Sequence, residues 1–123
     1  MSDRPAALRA FLQGFAHAFR GILFGLHTQR NLRVHALATL GVIVLGFVFQ
    51  IERWEWCAIL ISCGLVWAAE LLNTAIERLA DRVSVEREEA IRVVKDAAAG
   101  AVLAASLASA AVGAVIFLPR LLA

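Results

Sequence analysis

The chain has 123 residues, 61% of them hydrophobic, with a mean hydropathy of +0.76 and a formal net charge of +2. It is too apolar for an ordinary water-soluble domain and long enough for a single compact membrane domain of a few spans. The charge is small and scattered, and no basic patch is interleaved with exposed aromatics, which excludes a nucleic-acid-binding module.

The first predicted element is an amphipathic helix over residues 5–27. Leu8, Phe11, Leu12, Phe15, Phe19, Ile22, Leu23 and Leu26 recur at steps of three and four and form one apolar stripe, opposite Arg9, Gln13 and Arg20. Ser2 and Asp3 can cap it, and Pro5 sits near its first turn. A cleavable signal is excluded because Arg9, Gln13, His17 and Arg20 interrupt what would be its apolar core. A basic helix with a Phe and Leu face is suited to lying in the plane of a bilayer surface, and a helix of a soluble bundle is the competing reading.

A first membrane helix is predicted over 35–51, where the run from Ala36 to Phe49 carries no charge. Glu52-Arg53-Trp54-Glu55-Trp56 reads as a tight polar turn, its tryptophans placed as interfacial anchors. The second membrane helix covers 56–80. Cys57 and Cys63, six apart within it, point in different directions and read as two buried small apolar residues.

The second membrane helix continues without a Gly or Pro break into Glu70-Leu-Leu-Asn-Thr-Ala-Ile-Glu77. Steps of three and seven residues return to nearly the same helix face, so Glu70, Asn73 and Glu77 form one polar stripe, with the two carboxylates roughly 10 Å apart along the axis. An ionisable side chain is costly in lipid, and one that persists usually faces a bundle interior or marks a functional site. Glu70 is expected near the edge of the apolar core and Glu77 among the headgroups.

Residues 81–96 form a charged connection on one membrane face, which with Glu77 and Arg78 holds Asp81, Arg82, Glu86, Arg87, Glu88, Glu89, Arg92, Lys95 and Asp96. A third membrane helix is predicted over 97–118. In it Ala97, Ala101, Ala105, Ser109 and Gly113 make a row of small residues at every fourth position, which permits close helix packing, although an alanine-rich span gives such a row by composition alone. Arg4, Arg9, Arg20, Arg30 and Arg33 precede the first span and five basic residues lie between the second and third, against Arg53 and Arg120 on the other side. The positive-inside rule then places the N-terminus and the charged connection in the cytoplasm, where nucleotides and a lipid headgroup can meet.

Phosphoryl transfer from a nucleotide needs a divalent ion, a cation for the remaining phosphate charge and a base for the attacking hydroxyl. Carboxylates, Asn and Lys supply such parts, although Lys95 and Asp96 serve equally well as a stabilising charged cluster at a helix end. No Walker-type loop, kinase glycine loop or GxGxxG occurs, which excludes a soluble nucleotide-binding fold.

The layout of one surface helix and three spans, the octapeptide from Glu70 to Glu77, Asp81 and Lys95-Asp96 resemble the small bacterial membrane kinases, the diacylglycerol kinase and undecaprenol kinase family, over about Phe11 to Leu118. The resemblance implies an all-α integral-membrane homotrimer in the bacterial inner membrane. Mg2+-ATP would enter from the cytoplasm, and the active sites would lie between subunits. By the same resemblance Glu70 is the catalytic base and Asn73 its companion that orients the transferred phosphate. Glu77 is a metal ligand, and Lys95, Asp96, Glu77 and Arg20 make up the nucleotide-binding set. Asn31-Leu-Arg-Val-His35 resembles the Asn-x-Arg-x-His stretch of the undecaprenol kinase branch, which favours undecaprenol as substrate over diacylglycerol; taken without the family, His35 reads as an interfacial residue. Where the family often has a second metal-binding glutamate this chain has Gln29, whose amide oxygen can ligate Mg2+ but brings no charge. A small proton-coupled transporter and a non-catalytic membrane scaffold are the other classes compatible with a polar stripe in an apolar helix.

Overall fold

The computed structural model describes residues 3–84, 86 and 88–123, and contains four helices and no strand among them. They are α1 (Arg4–Thr28), α2 (Arg30–Val48), α3 (Arg53–Val83) and α4 (Glu89–Leu122). The last three are long and apolar enough to cross a membrane, so the fold is all-α and multi-pass. The cap expected of Ser2 lies outside the described residues, as does Arg87. Asp3 holds the N-cap position of α1 but its carboxylate makes no capping bond. Pro5, whose fixed φ suits a first turn, is what remains of the expected start signal.

Along α1 the apolar stripe is not covered by the rest of the chain: Phe11 is 64% and Phe19 65% exposed. A helix lying on a bilayer presents such a face to the acyl boundary. Only the last turns of α1 pack, and they pack through Gly25, which is buried. A Cβ at Gly25 would meet Leu32 Cδ2 at 2.7 Å and Leu71 Cδ2 at 2.8 Å, so the missing side chain is what lets α1 approach both α2 and α3. The chain then breaks at Gln29, whose backbone is extended, before re-entering a helix at Arg30. Arg33 closes this joint by donating from Nη1 to the carbonyls of Leu26 and His27, both at 3.0 Å, which satisfies acceptors that the end of α1 leaves open.

Helix α2 starts earlier than the hydropathy boundary at residue 35, because the Arg33 bond lets polar residues occupy its first turn. Its other end turns through Gln50, which sits at φ 50, and Ile51, which is buried. The stretch expected to form the turn, Glu52 to Trp56, instead begins α3 with a capping box: Glu55 Oε1 accepts from the Glu52 backbone N–H at 3.0 Å. Trp54 is 60% exposed and bonds Glu52. Trp56 turns inward, where its ring packs so closely on Gly46 that a Cβ there would lie 2.5 Å from Cη2.

Helices α3 and α4 form an antiparallel pair joined at both ends. Asp81 near the end of α3 meets Lys95 near the start of α4, and Glu55 at the start of α3 meets Arg120 at the end of α4. At 31 residues α3 is about 46 Å long, so its charged end projects beyond an apolar layer about 30 Å thick. The apolar core sits at the Arg120 end, in Ile51, Ile59, Ile116 and Phe117. Of the small-residue row, Ala97 and Ala101 are exposed and Ala105, Ser109 and Gly113 half-buried. The row borders the α3–α4 seam, whose buried member nearby is Ala98. Both cysteines are free, but Cys57 is exposed on the chain and Cys63 half-buried, which corrects the expectation of two buried thiols: both lie on α3, but on turns that α4 and α2 leave partly or wholly uncovered.

Candidate active site

Glu70 is the most deeply placed of the stripe residues, 3% exposed in the interior of α3. Its Oε1 lies 3.1 Å from His35 Nε2 on α2. Which of the two groups donates in this contact follows from the His35 tautomer. One turn away on each helix the contact repeats, since Trp67 Nε1 donates to Thr39 Oγ1 at 3.0 Å while Thr39 Oγ1 donates to the His35 carbonyl at 2.7 Å. These bonds fix the register of α2 on α3 and thereby the His35 ring against Glu70. Thr74 caps the other side by donating from Oγ1 to the Glu70 carbonyl at 2.9 Å.

Asn73 lines a narrow apolar groove of about 350 Å³ between α3 and α4, whose walls include Ala69, Leu72, Ala98 and Ala101. Its Oδ1 is buried with no hydrogen-bond partner among the described residues. Leaving such an acceptor unsatisfied costs about 1–3 kcal/mol, and unsatisfied groups in native structures are expected to have a functional or solvent explanation.

Beyond the apolar layer Glu77 opens on a different face, into an open cleft of about 740 Å³ lined by Gln29, Glu77, Arg78, Asp81 and Arg82. The α1–α2 joint at Gln29 is what brings that amide to Glu77, across 48 residues of sequence. Lys95 and Asp96 line a second cleft of about 430 Å³ with Ser84, Glu86, Glu88, Glu89, Ile91 and Arg92. The two clefts are linked by the ion pair of Lys95 with Asp81, 2.5 Å apart. Asp96 is held by Arg92 at 2.9 Å, which also pairs with Glu89. Arg20 stands apart from both clefts on the exposed face of α1, its guanidinium 2.7 Å from His17 Nδ1.

Two partners escaped sequence reasoning. Taken without the family His35 reads as an interfacial side chain, and the signal that could pair it with Glu70 is its place in the Asn31 to His35 stretch at the start of a helix. The buried Glu55 at the other end of α3 takes both guanidinium nitrogens of Arg120, at 2.7 and 2.8 Å, and nothing in the spacing of residues 65 apart foretells it.

Mg2+ takes oxygen ligands and is commonly held by one or two carboxylates, with substrate phosphates and water completing the shell. The cleft offers the carboxylates of Glu77 and Asp81 and the amide oxygen of Gln29, a donor set that fits an ion arriving with a nucleotide. Among the described residues no group of three His, Cys, Asp or Glu side chains converges to hold a metal by itself.

A buried carboxylate paired with a histidine inside helices of membrane length, with two charged clefts at one end of the bundle, marks a multi-pass membrane protein. Residues 16–117 match the family model described as prokaryotic diacylglycerol kinase, and the chain belongs to that family. It is 39% identical over 119 residues to an undecaprenol kinase of Bacillus subtilis, covering 97% of each chain. It is 37% identical over 112 residues to a diacylglycerol kinase of Synechocystis sp., covering 90% of this chain and 64% of that one. A diacylglycerol kinase of Pseudomonas aeruginosa is 35% identical over 85 residues, 69% of this chain and 63% of that one. The protein is therefore an enzyme of the lipid-kinase class with ATP as phosphoryl donor, and the transporter and scaffold readings fall away.

Proposed function

We propose that this kinase transfers the γ-phosphoryl group of Mg2+-ATP to the hydroxyl of undecaprenol, with Glu70 as the base. The observation that carries the reading is the buried contact of Glu70 with His35, the last residue of the Asn31 to His35 stretch. Similarity over the full length of an undecaprenol kinase, against partial coverage of the two diacylglycerol kinases, supports the same substrate. Diacylglycerol is the second reading, supported by those two relatives.

Glu70 accepts the proton of a lipid hydroxyl arriving at its own depth, and His35 holds the carboxylate in place as it does so. Asn73 orients the transferred phosphoryl group by donating to it from its side-chain Nδ2–H groups. Glu77 with Gln29 holds the metal ion, which when bound supplies charge neutralisation at the phosphate oxygens. Lys95, Asp96 and Arg20 bind the nucleotide. Since Arg20 lines neither cleft on one chain, a homotrimer with sites between subunits is part of the reading. The exposed apolar faces of α2, with Leu37 and Phe47 both 72% exposed, and of α4, with Val115 71% exposed, are available for lipid or neighbouring subunits. The distribution of basic residues supports a cytoplasmic N-terminus and cytoplasmic clefts, in a protein of the bacterial inner membrane.

The test is kcat/KM for phosphoryl transfer in mixed micelles containing either undecaprenol or diacylglycerol. A preference for undecaprenol of about tenfold or more, equivalent to about 1.4 kcal/mol of transition-state stabilisation, is expected. The reverse preference would make the chain a diacylglycerol kinase.

A further inference from the structure

With Lys95 reaching Asp81 from the neighbouring cleft, three cations meet two carboxylates around the cleft beside Glu77, one positive charge more than the proposed reaction has used. Asp81 is already neutralised by Lys95, and Gln29 is neutral. Glu77, Arg78 and Arg82 take part in no ion pair among the described residues, so two guanidinium groups face one free carboxylate across the cleft. Such a surface takes an anion. Arg78 is also held: its guanidinium carbon lies 4.5 Å from the centroid of the Phe24 ring on α1. A cation–π contact engages the charge without consuming N–H donors, and Arg78 donates no hydrogen bond among the described residues. An arginine so oriented, with its donors free, matches the planar two-point recognition of phosphate oxygens.

We propose that Arg78, positioned by Phe24, is a phosphate-binding residue in this cleft, an inference that rests on the reading above that the metal ion held by Glu77 arrives with the phosphates of the nucleotide. In this chain the guanidinium supplies part of the positive charge that the neutral Gln29 cannot help a metal ion to bring. The same chemistry would suit the phosphate of an anionic lipid headgroup, and the experiment separates the two sources.

Binding of ATP to the full-length protein is measured by calorimetry in neutral detergent micelles, with Mg2+ and with chelator, for wild type, Arg78→Ala, Arg78→Lys and Phe24→Leu. Loss of a charge-assisted phosphate contact predicts a Kd for ATP raised about tenfold in Arg78→Ala with or without Mg2+. Arg78→Lys recovers part of it, and Phe24→Leu shows a smaller rise. Affinity for adenosine stays at the wild-type value, which a general loss of structure would not allow. In label transfer the KM for ATP rises while kcat is nearly unchanged. Wild-type ATP affinity in Arg78→Ala overturns the proposal, and so does an effect seen only when phosphatidylglycerol is added to the micelles. Failure of the wild type to bind ATP at all would overturn the nucleotide placement, and this proposal with it. If ATP binds but Glu77→Gln alone weakens it, the placement stands and Arg78 is excluded.

Discussion

Among the described residues the Glu70 carboxylate has one side-chain hydrogen-bond partner, His35, and in the proposed mechanism the carboxylate's direction depends on that ring. Replacing His35 by Ala leaves Glu70 buried but free to rotate away from the reacting hydroxyl. Misplacement on the order of 1 Å can cost about a hundredfold, so a fall in kcat of about tenfold to a hundredfold is expected with the KM for ATP unchanged. Steady-state kinetics of His35→Ala check this, and wild-type kcat would reduce the pair to a packing contact. At this scale the carboxylates and Asn73 were legible because polar side chains stand out in an apolar run and a helix has a known repeat. His35 and Arg78 were not. Their partners lie on other helices, and the choice among them depends on how α1 and α2 cross α3, which no local spacing encodes. The bidentate Glu55–Arg120 pair was hidden for the same reason, since each residue alone reads as an ordinary interfacial charge.

Among the elements, the joint between α1 and α2 bears most directly on the proposed metal site, because it carries Gln29 to Glu77. Its geometry depends on Gly25, where even a Cβ would contact Leu32 and Leu71. Those contacts are the ends of flexible side chains, so Gly25→Ala should be tolerated. Gly25→Ile overfills the joint, and overpacking of this kind costs about 1–3 kcal/mol. A lowered melting temperature together with a raised Mg2+ requirement is expected for Gly25→Ile; an unchanged Mg2+ requirement would show that the joint does not govern the cleft. The existence and type of all four helices were readable from hydropathy and periodicity. Their ends were less so. Polar first turns at Arg30 and Arg53 are held by Arg33 and by the Glu52–Glu55 capping box, and α3 and α4 extend into the charged stretch until only residues 84–88 separate them.

Over the whole molecule, chemistry and packing occupy opposite ends of the α3–α4 pair. The buried apolar cluster and the Glu55–Arg120 pair lie at one end, and Glu77, the two clefts and the Asp81–Lys95 pair at the other. Fixing the far end leaves the charged end open, while Glu70 sits buried between the two. The sequence foretold this polarity from its charge distribution. It did not show that the nucleotide-binding candidates divide between two clefts and a separate helix, because that division depends on which faces of α1 and α4 are turned toward α3. The central claim is that one buried carboxylate activates the lipid hydroxyl. Its most direct test is transfer of label from [γ-32P]ATP to lipid by purified wild-type protein and by Glu70→Gln, with folding confirmed by melting and ATP binding measured for both. A Gln variant that folds and binds ATP like the wild type but transfers label about a hundredfold or more slowly is the predicted result. Wild-type transfer by Glu70→Gln would contradict it.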